Sequence, residues 1–283
     1  MRTPLRTTFF LRVALPFTLL LAIASHPLAA ADSAAQINAK LKAGGEVAWL
    51  IEGSTEKDGD LAVLFTSRLK GTKPAKFPYL VRGELAPGDT DALNAFIEAE
   101  NKAEDRVVLD NIVVSLKQKR VLGRLNLGNP EDELAHFPGL SHSSLEVLWG
   151  PEEEGWHFGV LNYGGRWGSS AVFLIESDGE NLRQLNIKPV LDAKARAFIK
   201  SALKDKKGLN PILYAIPYSE MKVIDPDVGY SVGNPIKITV NFNAEVPKAP
   251  DNYPLVEGAM TVLLETTSDA ISAKVLTVSR PKK

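Results

Sequence analysis

The chain has 283 residues, 45% of them apolar and 24% charged, with a net charge of −1. That composition excludes a disordered polymer or a collagen-like repeat, and so balanced a charge offers no bulk field to draw nucleic acid or anionic lipid. There is no cysteine, which excludes disulfides, thiolate zinc sites, iron–sulfur clusters and cysteine nucleophiles.

Residues 1–31 read as a secretory signal peptide. Arg2, Arg6 and Arg12 give a basic start, and VALPFTLLLAIAS from Val13 to Ser25 is uncharged and mostly apolar. That run is too short to cross a bilayer, which needs about 20 residues of helix. Ala29 and Ala31 fit the small-residue cleavage rule, so cleavage is expected after Ala31. The mature chain is expected to be periplasmic or extracellular, with no membrane span. It divides into a β-rich region with two helices (32–127), a loop-rich boundary (128–143) and a second β-rich region with one helix (144–283).

Ser33 and Gln36 form a capping box ahead of a first helix over 34–43, with Gly44 as its stop. Strand-like runs follow at 46–52, 61–68 and 77–85, and Lys57-Asp58-Gly59-Asp60 makes the first turn. Pro87-Gly88 closes the third run, and Asp89 or Thr90 caps a second helix over 90–103. Its apolar stripe is Leu93, Phe96 and Ile97. Two further strands are read at 106–118 and 120–127.

Beyond the boundary, strands are expected at 145–149, 156–163, 171–176 and 181–187, with Asp178-Gly179 as a hairpin turn. Leu191, Ala195, Phe198 and Ala202 mark a third helix over 191–205. Ile236, Ile238, Val240 and Phe242 alternate with Lys237, Thr239, Asn241 and Asn243, the pattern of a strand with one buried face. Residues 256–266 and 271–279 read as a closing hairpin. Helices do not alternate regularly with strands, so the expected fold class is α+β, mainly antiparallel sheet with about three packed helices. Two echoes about 100 residues apart, Glu46-Val47-x-Trp49 with Glu146-Val147-x-Trp149 and Ala95-Phe96-Ile97 with Ala197-Phe198-Ile199, raise a duplicated unit, although the strands between them do not align.

Within 145–187, Trp149-Gly150-Pro151 precedes an apolar strand, and Asp178-Gly179-Glu180-Asn181 with Leu185 closes the next pair. This stretch resembles one blade of the WD40-like propeller repeats of periplasmic TolB-type proteins, with Glu152-Glu153-Glu154-Gly155 in place of the usual Asp-Gly. Trp49 to Gly71 is a fainter echo. The resemblance implies a local β-meander and, as the alternative fold, a degenerate small propeller-like arrangement; it implies no function.

No catalytic constellation is recognisable. His136, His142 and His157, with Glu152, Glu153 and Glu154, match neither an i,i+4 histidine pair nor HExxH, so no metal and no other cofactor is expected. There is no GxSxG elbow and no phosphate-binding GxxxxGK[ST] loop; Ser141-His142 is adjacency without triad geometry. Asp225-Pro226-Asp227 reads as a turn. The most distinctive polar–aromatic cluster is Asn162-Tyr163-Gly164-Gly165-Arg166-Trp167-Gly168, in which glycines let a ligand approach the backbone while Tyr163, Arg166 and Trp167 offer flat faces and a forked donor. These three are the candidate ligand- or partner-binding residues. The expected role is a non-catalytic exported protein binding a peptide, a glycan or an envelope protein. The alternative is an exported hydrolase with a dispersed acidic or histidine-based site.

Overall fold

The computed structural model describes residues 31–83, 87–102, 107–125, 144–165, 168–204, 216–245 and 255–281. The expected signal segment up to residue 30, the expected boundary at 128–143, His136, His142, Arg166 and Trp167 lie outside them.

Helix α1 (Ala34–Lys42) starts at the expected capping box: the Gln36 amide donates to the Ser33 hydroxyl, and the Gln36 side chain accepts from the Ser33 amide. Strands β1 (Glu46–Leu50) and β2 (Leu61–Leu69) pair antiparallel, and β4 (Val107–Ser115) and β5 (Arg120–Arg124) extend the same sheet. The expected third strand, 77–85, shrinks to β3 (Tyr79–Leu80), which lies parallel to β1. Its apolar residues serve another purpose. Phe77 and Leu80 lie over Ala48, Ala62, Leu64, Ile112 and Val114 on the outer face of this sheet. Helix α2 spans Pro87–Lys102; Pro87 therefore lies in its first turn instead of ending a strand, as proline's fixed φ permits there.

The second sheet is an antiparallel meander of β6 (Ser144–Trp149), β7 (His157–Gly165), β8 (Gly168–Ser177) and β9 (Leu182–Asn186). Helix α3 (Lys188–Ala202) follows, three residues earlier than expected, and buries Leu191, Ala195 and Ile199. The third sheet orders β10 (Tyr218–Val223), β11 (Ile236–Glu245), β12 (Leu255–Thr266) and β13 (Ile271–Ser279). Strand β10 has no counterpart among the expected elements.

The fold is α+β, with antiparallel sheets dominating three helices among the described residues. The sheets stack in a row. One core joins the first sheet, α1 and Leu93 of α2 to Leu161, Tyr163, Ala171, Phe173 and Ile175 of the second. Another joins Phe158, Val160, Val172 and Leu174, from the opposite face of the same two strands, to α3 and the third sheet. The blade-like meander at 144–186 is thus a middle layer covered on both sides, which is why β7 and β8 read as nearly unbroken apolar runs. The echoed segments Glu46–Trp49 and Glu146–Trp149 do both start a four-strand meander. In the first, however, β3 and helix α2 come between the second and third strands of the meander and β3 adds a fifth strand to the sheet, whereas α3 follows the whole of the second.

Candidate functional site

The middle hairpin positions the predicted binding cluster. β7 and β8 pair from His157↔Ser177 up to Gly165↔Gly168, with an irregularity at Tyr163/Gly164. Asn162 points toward the third sheet, where its side-chain amide donates to the Tyr218 carbonyl at 2.7 Å. Tyr163 points the other way. It is 2% exposed, with its ring edge-on to Phe173 at 5.9 Å. Its hydroxyl is buried with no hydrogen-bond partner among the described residues, and burial pushes its pKa above the ordinary tyrosine value. Tyr163 therefore anchors the base of the tip between two sheets, while Arg166 and Trp167 lie outside the described residues.

Buried charges are held in four inter-element struts. On the first sheet, the Arg124 guanidinium donates to both Glu46 carboxylate oxygens, at 2.7 and 2.9 Å, and to Asp110 at 2.8 Å, so that three strands are tied by one cation. In the second core, Glu176 binds Arg183 and the Tyr230 hydroxyl, and Arg183 continues to the Thr266 hydroxyl at 2.7 Å and the Thr267 carbonyl at 2.8 Å. At the N-terminal end, Asp32 accepts from the Tyr79 hydroxyl at 3.0 Å and the Arg82 amide at 2.9 Å. These bonds, the Arg82 amide first, hold its carboxyl below the usual range.

The fourth strut joins His157 to Glu56, with Nδ1 and Oε1 2.9 Å apart. His157 starts β7, and Glu56 lies in the β1–β2 connection, so the pair ties the second sheet to the first. The bond to Glu56 raises the His157 pKa against the opposing effect of burial; the charges of Glu56, Glu152 and Asp60 act in the same direction. The second Glu56 oxygen is buried without a hydrogen-bond partner among the described residues. Sequence spacing grouped His157 with His136, His142 and the Glu152–Glu154 run. The structure gives it a carboxylate 101 residues away instead, and no short-range pattern in the sequence marks such a pair. Among the described residues no three histidine or carboxylate side chains converge as metal ligands.

A second exposed feature is the β10–β11 connection. Ile224, Val228 and Val232 are exposed. The loop beneath them is tied down by Tyr230, by the Asn234 side chain on the Gly229 carbonyl at 2.6 Å, and by Gly233 on the Thr266 carbonyl at 3.1 Å. Asp225-Pro226-Asp227 is the turn expected of it, closed by the Val228 amide on the Asp225 carbonyl at 3.1 Å.

No helix among the described residues is long and apolar enough to cross a membrane. No family model, curated protein or solved structure matches the chain.

Proposed function

We propose that the mature chain is an exported, non-catalytic binding protein that takes a peptide, a glycan or another envelope protein at the 162–168 hairpin tip. One observation carries this reading. β7 and β8 are each buried on both faces, and their pairing continues, past a bulge at Tyr163/Gly164, to Gly165↔Gly168. A tip rooted in a hairpin buried on both faces stands on a firm scaffold, and exposed loops on rigid scaffolds are where binding groups concentrate. Pre-organisation lowers the cost of ordering a binding surface. The tip composition adds an indole and a guanidinium, both frequent at binding hot spots.

Trp167→Ala and Arg166→Ala test the proposal against immobilised panels of envelope glycans and peptides. Both variants are expected to keep the wild-type thermal midpoint and to lose binding at least tenfold. A fall in midpoint with unchanged binding overturns the reading, because it makes Trp167 part of the protein's own packing.

One observation favours the hydrolase alternative. His157 is oriented by Glu56 as a general base is oriented by its carboxylate partner. In that reading Nε2 exchanges the proton with substrate. Turnover of chromogenic esters or glycosides that is abolished in His157→Gln, with the fold retained, would replace the binding reading.

A further inference from the structure

We infer that Ala31–Asp32 is a processing site and that the α-ammonium group released there becomes part of the fold. This rests on the export reading above for the cleavage itself, and goes beyond it in what the new terminus does. Ala31 is exposed, whereas Asp32 is 3% exposed. The Asp32 backbone nitrogen donates to the Arg82 carbonyl at 3.0 Å, and its carboxylate takes the Arg82 amide, the Tyr79 hydroxyl and, at 3.3 Å, the Arg82 guanidinium. The next residue is already the cap of α1, and Ala34, Ile37 and Leu41 are buried in the core. Asp32 thus clasps α1 to the segment that follows β3, and Lys40 of the same helix sits 3.7 Å over the Tyr79 ring.

Two consequences follow from this geometry. A protease takes its substrate as exposed, extended chain, so a docked Asp32 withholds the bond, and cleavage precedes docking of the terminus. Hydrolysis by the exporting cell's signal peptidase adds water across the bond. The C–N bond breaks, the Ala31 carbonyl carbon takes the oxygen and leaves as a carboxylate, and the Asp32 nitrogen takes the protons to become an ammonium. That ammonium then stands at the Arg82 carbonyl and beside its own carboxylate, so a neutral amide donor is exchanged for a charged one, and charge-assisted hydrogen bonds are the stronger kind.

The second consequence concerns Gly83. Its φ is +67°, and a Cβ placed there would lie 2.9 Å from the Ala31 Cβ and 3.3 Å from the Ala31 Cα. The three nearest atoms to such a Cβ all belong to Ala31. Removing Ala31 by cleavage removes that contact. The backbone strain of a side chain at positive φ is common to both forms and cancels in a comparison between them.

The experiment has two parts. The full chain is expressed in a Gram-negative host, and the protein recovered from the envelope is sequenced from its N-terminus. Separately, chains beginning at Asp32 and at Ala31 are prepared by tag removal, each with and without Gly83→Ala, and their thermal midpoints are compared. The expected result is a recovered terminus at Asp32, a midpoint about 2–4 °C higher for the Asp32 chain, and a larger loss from Gly83→Ala in the Ala31 chain. A terminus at Asp32 with equal midpoints and equal Gly83→Ala losses overturns the clasp and leaves export standing. A terminus at another residue overturns the inference, and an uncut terminus overturns the export reading with it.

Discussion

Tyr163 shows how one residue's environment can invert its sequence meaning. A tyrosine beside three glycines reads as an exposed binding face, yet its ring is enclosed between the first two sheets and its hydroxyl has no partner among the described residues. A buried polar group without a partner costs roughly 1–3 kcal/mol relative to one that is satisfied. Tyr163→Phe removes the group and leaves the ring, so it is expected to be neutral or to raise the midpoint in chemical denaturation. A loss above about 1 kcal/mol would show that the hydroxyl has a partner in solution. His157 gives the opposite lesson, because its partner raises its pKa. A raised histidine pKa favours the folded state in full below the unfolded value of about 6.5, and that contribution fades as pH climbs through the folded value. The thermal midpoint should therefore decline as pH rises above about 6.5, and His157→Gln should flatten that decline. Parallel curves for the two proteins would mean that the pair is not coupled to folding.

At the scale of elements, β11 follows the alternation written in its sequence. Ile236, Ile238, Val240 and Phe242 are buried, and Thr239 is not. Phe242 packs edge-on to Phe198 of α3 at 5.9 Å, and it lies over Gly258 of β12, its register partner, where any Cβ would overlap the ring. Phe242→Ala is expected to cost about 3–5 kcal/mol, and Thr239→Ala within about 0.5 kcal/mol, both read from urea unfolding. Similar losses at the two positions would mean that the strand's faces are not distinguished by burial. Strand β13 shows where alternation stops being informative. Thr261 pairs with Thr277 and Val262 with Val275, so Leu276 is the extra residue of a bulge, and it stays 41% exposed. A bulge depends on how two strands are matched and leaves no mark in one of them. Strand β3 was over-read for a related reason. An apolar run longer than its two ladder residues can be consumed by lying across a sheet, as Phe77 does, and periodicity cannot separate the two outcomes.

At the scale of the whole molecule, the row of three sheets makes the two sequence regions interdependent. The first sheet's inner face, with Val47, Trp49, Val63 and Phe65, is covered in part by Leu161, Tyr163, Phe173 and Ile175, which lie beyond the 128–143 boundary. The Trp149 indole also donates to the Ser54 carbonyl at 2.9 Å, and His157 reaches Glu56. A fragment ending at residue 127 would expose that face to water, and exposed apolar area of this size drives association. The fragment 32–127 is expected to aggregate or to bind a hydrophobic dye, and chain 32–283 is expected to unfold in one cooperative transition. A soluble, cooperatively folding 32–127 fragment would establish two independent domains.

Local chemistry was settled by the sequence alone: the capping box of α1, the Asp178-Gly179 turn, the faces of β11 and the α+β class, because each depends on residues a few positions apart. Tertiary structure decided the stacking order of the sheets, the shortening of β3, the existence of β10 and the partners of His157, Glu176 and Asp32. Arg82 lies 50 residues from Asp32, Tyr230 lies 54 from Glu176 and Glu56 lies 101 from His157. Strand β10 alternates poorly, as YSEMKV, and is held by its pairing with β11 and by Asn162 and Ser169, which bond its Tyr218 carbonyl and amide. Burial and pairing energies act between surfaces that chain folding brings together, and a linear pattern records which residues can be buried without recording what will bury them.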